Sequence, residues 1–215
     1  MVTVVKEGES GQDLSTAART ARELPLLLIA AGVIAFLVKT FIAQAFYIPS
    51  GSMLEQLQIN DRVVVSKLSY LFHEPRRGDI VVFDSPHKGF GNQGNGGNII
   101  TKAIRKIGTG IGIIQPSTEE YIKRVIGLPG ETVDVKDGLV FVNGRPLSEP
   151  YLKPGTLTLT NGYKFPVTIP PDHLWVMGDN RTGSSDSRSF GPIPKGDVVG
   201  RTILKVWPLG DASFL

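Results

Sequence analysis

A mostly β body behind one apolar N-terminal segment is the fold class that this sequence predicts, from three observations. An uncharged apolar run begins at Leu24, short β-branched runs recur after it, and Asp-Gly and Asn-Gly pairs stand beside two of those runs. The first feature reads as a helix in a bilayer, and the second and third as antiparallel sheets.

Residues 1 to 23 are polar and without periodicity, and read as a cytoplasmic tail. Leu24 to Val38 carries no charge, and Lys39 is the single exception before Ile48. At about 1.5 Å per residue a helix over 24–47 is long enough to cross the hydrocarbon core, with Lys39 snorkelling to the headgroups. Arg19 and Arg22 ahead of it favour a cytoplasmic N-terminus, which puts the rest of the chain outside the cytoplasm. A second reading stays open: the same arginines, the apolar run and Ala43-Gln44-Ala45 also fit a cleaved secretory signal.

Beyond the helix, Arg62–Val65, Asp79–Phe83, Thr132–Val135 and Leu139–Val142 are strand-length runs bounded by Gly, Asp or Pro. Asp137-Gly138 between two of them predicts a hairpin, and Asn143-Gly144 a further turn. Residues 88–98, rich in Gly and Asn, read as a loop. Gly89, Gly91 and Gly94 match GxGxxG there, but no helical pattern follows, so a dinucleotide site is not expected. Lys102 to Ile107 reads as a short basic turn. The predicted domains are a catalytic β body at 48–132 and 175–215, with a small accessory β insertion at 133–174.

Composition removes several function classes. A chain of 215 residues holds one domain with a small insertion. Its net charge of +3 leaves no electrostatic footprint for nucleic acid. There is no cysteine, hence no thiol nucleophile, disulfide or thiolate metal site. His73, His87 and His173 are scattered without HExxH spacing, so neither a metal nor another cofactor is expected.

Three polar clusters remain, each with two readings. Tyr47-Ile48-Pro49-Ser50-Gly51-Ser52-Met53 is an ordinary turn, or a serine nucleophile in a loop that a substrate can approach closely. Lys123, in Tyr121-Ile122-Lys123-Arg124-Val125, blunts a sheet edge, or is a base desolvated enough to be neutral near pH 7. Strand alternation puts Lys123 on the side of Tyr121 and Val125, with Arg124 opposite. Gly178 to Arg188 is a polar loop, or a hydrogen-bonding frame in which Asp186 pairs with Arg188 and Ser184 orients an amine. A Ser-His-Asp triad lacks its GxSxG signature, and a Ser-Lys pair is the other known arrangement.

In this order, behind an N-terminal anchor, the clusters resemble the boxes of type I signal peptidases, the membrane-bound Ser-Lys proteases that remove signal peptides from exported proteins. The resemblance runs from about Leu24 to Pro208 and also takes in Arg77-Gly78-Asp79, Phe190-Gly191-Pro192 and Trp207-Pro208. It implies Ser52 as nucleophile, Lys123 as base, and Ser50 with the Ser52 N–H as the oxyanion hole. Ser184 is implied to bond the lysine amine, supported by the Asp186 and Arg188 pair. Phe46, Ile48, Met53, Leu57, Tyr121 and Ile122 match positions lining shallow pockets for small side chains. The expected substrates are preproteins cut after Ala-x-Ala, and the expected surroundings are a plasma or thylakoid membrane close to the secretion translocon. The texture of Ser66-Lys67-Leu68-Ser69-Tyr70 points to the cyanobacterial and thylakoid branch.

One departure bears on activity. Where the family has Met-x-Pro-Thr-Leu, this chain reads Met53-Leu54-Glu55-Gln56-Leu57, replacing a stiff turn by a charged, flexible pair. An impaired, membrane-anchored β-domain that binds a partner is therefore the alternative function, and a soluble β protein released at Ala45 a third.

Overall fold

The computed structural model describes residues 10–37, 42–85 and 120–215. The predicted loop at 88–98, its three glycines, the basic turn at 102–107, His87 and Lys39 lie outside the described residues.

Helix α1 (Ser10–Leu37) carries Pro25 within it and exposes its apolar side chains from Leu24 to Phe36. The expected helix over 24–47 is corrected at its C-terminal end, since Ala43–Tyr47 is a strand. Among the described residues no helix is long and apolar enough to cross a membrane. The predicted helix does not run to residue 47 because of long-range pairing: Ala43–Tyr47, apolar enough to extend a helix locally, is strand β1, antiparallel to β2 (Arg62–Ser66), and its Phe46 is buried.

The body is mostly β and antiparallel, with two sheets among the described residues. Its larger sheet has eight strands, adding β3 (Ile80–Asp84), β4 (Glu120–Gly127), β9 (His173–Met177), β10 (Ile193–Pro194), β11 (Val198–Trp207) and β12 (Ser213–Phe214) to the first two. The order is β1-β2-β11-β3-β4-β9-β10, with β12 also on β11. The smaller sheet has four strands in the order β7-β6-β5-β8: β5 (Thr132–Lys136), β6 (Leu139–Val142), β7 (Arg145–Pro146) and β8 (Val167–Thr168). Asp137 and Gly138 turn the β5–β6 hairpin with φ of 51° and 77°, the left-handed pair that such a two-residue loop requires.

Among the described residues three apolar clusters hold the body, and β3 shows why its run Ile80-Val81-Val82-Phe83 does not alternate with polar residues. Ile80 and Val82 enter one cluster with Phe46, Ile48, Met53, Leu57, Val63, Val65 and Ile122. Val81 and Phe83 enter a second with Val125, Leu174, Val176 and Ile193. Both faces of the strand are covered, and each such side chain contributes roughly 1.5–3 kcal/mol by leaving water. The third cluster, centred on Trp175 with Ile126, Val133 and Ile169, joins the two sheets. Gly127 makes that junction possible, since a Cβ there would stand 2.3 Å from Ile169 and 2.7 Å from Val133.

Candidate active site

Ser52 sits in a short 3-10 turn, Gly51–Met53, directly after β1, and Met53 anchors the turn in the first cluster. Lys123 lies midway along β4, paired across to Val81. The two meet: Lys123 Nζ is 2.7 Å from Ser52 Oγ and donates to the Ile122 carbonyl at 2.8 Å. Ser52 is 7% exposed and Lys123 2%. Burial disfavours the ammonium, lowering the lysine pKa from 10.5 to about 8, although Asp186 and Asp179 pull the other way. The amine also lies 5.4 Å from the Tyr121 ring, the neighbour that strand alternation assigns to it.

Ser50 is more exposed, its Oγ 3.5 Å from that of Ser52. Asp186 and Arg188 form a buried two-pronged ion pair at 2.7 and 2.9 Å, and Asp186 also accepts from the Gly178 N–H at 3.0 Å. Ser184 is different from expectation. Its buried Oγ has no hydrogen-bond partner among the described residues, and the bond to the lysine amine that the resemblance implies is not made. The Ile122 carbonyl, beyond the Arg124–Met177 pair where the β4–β9 ladder stops, accepts from the amine instead. Ser184 nevertheless stands beside the turn, because a Cβ on Gly178 would approach both its Oγ (2.2 Å) and the Ser52 carbonyl (2.4 Å).

The six residues matched to substrate pockets divide. Phe46, Ile48, Met53, Leu57 and Ile122 belong to the first apolar cluster, with Met53 and Leu57 wholly buried. Tyr121 packs with the second cluster, stacked on Phe83. His73 and His173 are tied to carbonyls of their own turns, Glu74 at 2.9 Å and Pro171 at 2.8 Å.

Sequence reasoning missed a second buried pair beside the first. Arg124, turned away from Lys123, binds Asp179 through Nε at 2.9 Å and Nη2 at 2.6 Å, and its guanidinium lies 4.0 Å from the Tyr151 ring centre. It also donates to Gln56. The departure at Glu55-Gln56 is thus tied down on both residues, since Glu55 pairs with Lys153 at 2.7 Å. The signal available was Arg124 itself, an arginine standing between Ile122 and Ile126 on its side of the strand.

A serine hydroxyl held on a desolvated amine, with no described histidine beside it, has the chemistry of a Ser-Lys serine hydrolase. The chain belongs to the signal peptidase family, peptidase S26, whose description, "Signal peptidase, peptidase S26", matches residues 21–207. It is 40% identical to the signal peptidase I of Leptolyngbya laminosa over 82% of this chain and 75% of that one. It is 38% identical to signal peptidase I of Mycobacterium tuberculosis over 88% and 73%. It is also similar to thylakoidal processing peptidase 1, chloroplastic, of Arabidopsis thaliana, 32% identical over 84% of this chain and 46% of that one.

Proposed function

We propose that this chain is a signal peptidase I that cuts preproteins after small-x-small sites, with Ser52 as nucleophile and Lys123 as general base. Ser52 Oγ attacks the scissile carbonyl carbon and its proton passes to Lys123 Nζ. The Ser52 N–H and the Ser50 hydroxyl meet the oxyanion. The ammonium returns the proton to the leaving amide nitrogen as the C–N bond breaks, leaving an ester on Ser52. Lys123 then takes a proton from water, the hydroxide attacks the ester, and Ser52 Oγ departs with the proton. Asp186 and Arg188 brace the loop that carries Ser184. The observation that carries this reading is the 2.7 Å approach of Lys123 Nζ to Ser52 Oγ, both groups buried.

The exposed apolar side chains from Leu24 to Phe36 suit a lipid surface, and in this reading they hold the enzyme where signal peptides emerge, on the extracytoplasmic face. The test is cleavage of a model preprotein bearing Ala-x-Ala by the purified full chain in lipid vesicles. Wild type cuts once after the motif, and Ser52→Ala and Lys123→Ala do not. Cleavage by either variant at the wild-type rate would refute the assignment.

A further inference from the structure

We infer that Asn180 is a positioning residue that aims the Ser52 N–H at the developing oxyanion. The inference rests on the reading of Ser52 as nucleophile. Asn180 holds the nucleophile turn at two consecutive peptide units. Its side-chain Nδ2 donates to the Gly51 carbonyl at 3.0 Å, and its backbone N–H donates to the Ser52 carbonyl at 3.1 Å.

A trans peptide is planar, so the C=O of one residue and the N–H of the next point in opposite directions. The Gly51 carbonyl and the Ser52 N–H belong to one such plane, and fixing the first fixes the second. With the carbonyl drawn toward Asn180, the N–H is turned to the far side of the turn. The turn's own bond, Leu54 N–H to the Gly51 carbonyl at 3.2 Å, is long and holds that oxygen from one side only. The Ser52 carbonyl is seated as firmly, because Gly178 leaves room for it where a Cβ would stand 2.4 Å away.

Asn180 is itself pre-set. Its Oδ1 accepts from the Gly183 N–H at 3.2 Å and from Thr182 Oγ1 at 3.4 Å, which orients the amide so that Nδ2 is the atom facing Gly51. Its neighbour Asp179 is gripped by Arg124. The oxyanion donor is therefore oriented by a side chain 128 positions away from it in sequence, on the loop that also carries Asp186 and Ser184. An N–H swung off its target loses strength where charge develops in the transition state and little where the ground-state peptide binds.

Asn180→Asp keeps the Oδ1 acceptor and the backbone N–H and replaces the donor that faces Gly51 by a carboxylate oxygen. Asn180→Leu, which removes that donor without adding charge, is measured beside it and should show the same losses, so that charge repulsion is separated from misorientation. Three quantities are measured on the full chain in detergent: kcat and KM on an Ala-x-Ala peptide, the inhibition constant of a peptide aldehyde ending in alanine, and the affinity of a non-cleavable peptide. The aldehyde forms a tetrahedral adduct with the serine and so reports the oxyanion site. The expected result is a fall in kcat on the order of 10²-fold, the loss found when an oxyanion donor is removed. Aldehyde binding should weaken in parallel, with KM and non-cleavable peptide affinity within about threefold of wild type and an unchanged melting temperature. Wild-type kcat would overturn the inference, as would equal losses for the aldehyde and the non-cleavable peptide. Ser52→Ala is measured alongside: if it still cleaves, the underlying reading fails and the inference with it. If it is inactive while Asn180→Asp is normal, the inference alone fails.

Discussion

Arg188 grips both carboxylate oxygens of Asp186, Nε to one at 2.9 Å and Nη2 to the other at 2.7 Å, with neither side chain exposed. The remaining guanidinium nitrogen, Nη1, donates to the carbonyls of Arg181 and Leu159, so this pair ties the site loop to the connection between β7 and β8. Asp186 in turn holds the Gly178 N–H at the level of Ser52. Removing Arg188 leaves a buried carboxylate uncompensated, which costs about 3–5 kcal/mol. Arg188→Ala should melt roughly 6–20 °C below wild type. Differential scanning calorimetry checks this, and an unchanged transition would show that the pair carries no structural load.

Ser184 presents the opposite case, a buried hydroxyl with no partner among the described residues. Deleting an unsatisfied group removes a desolvation cost instead of creating one. Ser184→Ala should therefore melt at or slightly above the wild-type temperature. If the hydroxyl engages the lysine amine during turnover, kcat should still fall about ten- to a hundredfold through misorientation. Calorimetry and peptide cleavage on the same preparation separate the two effects, and a variant that melts clearly lower would show a stabilising partner in the ground state.

Gly178→Ala should damage activity more than stability. The added Cβ would meet the Ser184 oxygen at 2.2 Å and the Ser52 carbonyl at 2.4 Å, and the second of these is backbone that carries the nucleophile. The turn must shift, and a displacement of about 1 Å can cost on the order of 10²-fold in rate. Steady-state cleavage with a melting curve tests this, and full activity would mean that the nucleophile turn yields freely.

Strands whose pattern is local were legible in the sequence. Arg62–Val65, Asp79–Phe83, Thr132–Val135 and Leu139–Val142 were expected, and the observed strands agree to within a residue at each end. Lys123 was placed on the Tyr121 side by alternation alone, and the two are neighbours. Ala43–Tyr47 was misread because apolar residues next to a longer apolar run suit a helix or a strand equally until the partner, β2, is known. β11 went unread for a related reason: Gly200, Arg201 and Lys205 break its pattern, and it is held as a strand by pairing with β2, β3 and β12. The residues of the site arrive from β4, the turn after β1 and the loop after β9, and motif order could suggest their meeting while only the fold supplies distances. Asn180 and the Arg124–Asp179 pair escaped notice because what they bind is 129 and 55 residues away.

Lys123 also sets a stability prediction. Its folded pKa is about 8 against an ordinary 10.5, so between those values the unfolded chain binds more protons and stability rises with pH. Below about 8 the full cost of the buried amine is present, on the order of 3 kcal/mol before its hydrogen bonds are counted. Lys123→Met should be inactive yet at least as stable as wild type at pH 7, its advantage shrinking as pH approaches 10.5. Urea unfolding of both proteins from pH 7 to 10 tests this, and a difference independent of pH would show that the lysine does not titrate abnormally.

The most direct test of the central claim, that Lys123 is a desolvated base acting on Ser52, is the pH dependence of kcat/KM for an Ala-x-Ala peptide from pH 6 to 10.5. A base must be neutral to accept the serine proton, so the rate should rise with pH and level off through an apparent pKa near 8, the folded value for Lys123. A rate that is flat across neutrality, or that rises only near pH 10.5, would contradict it.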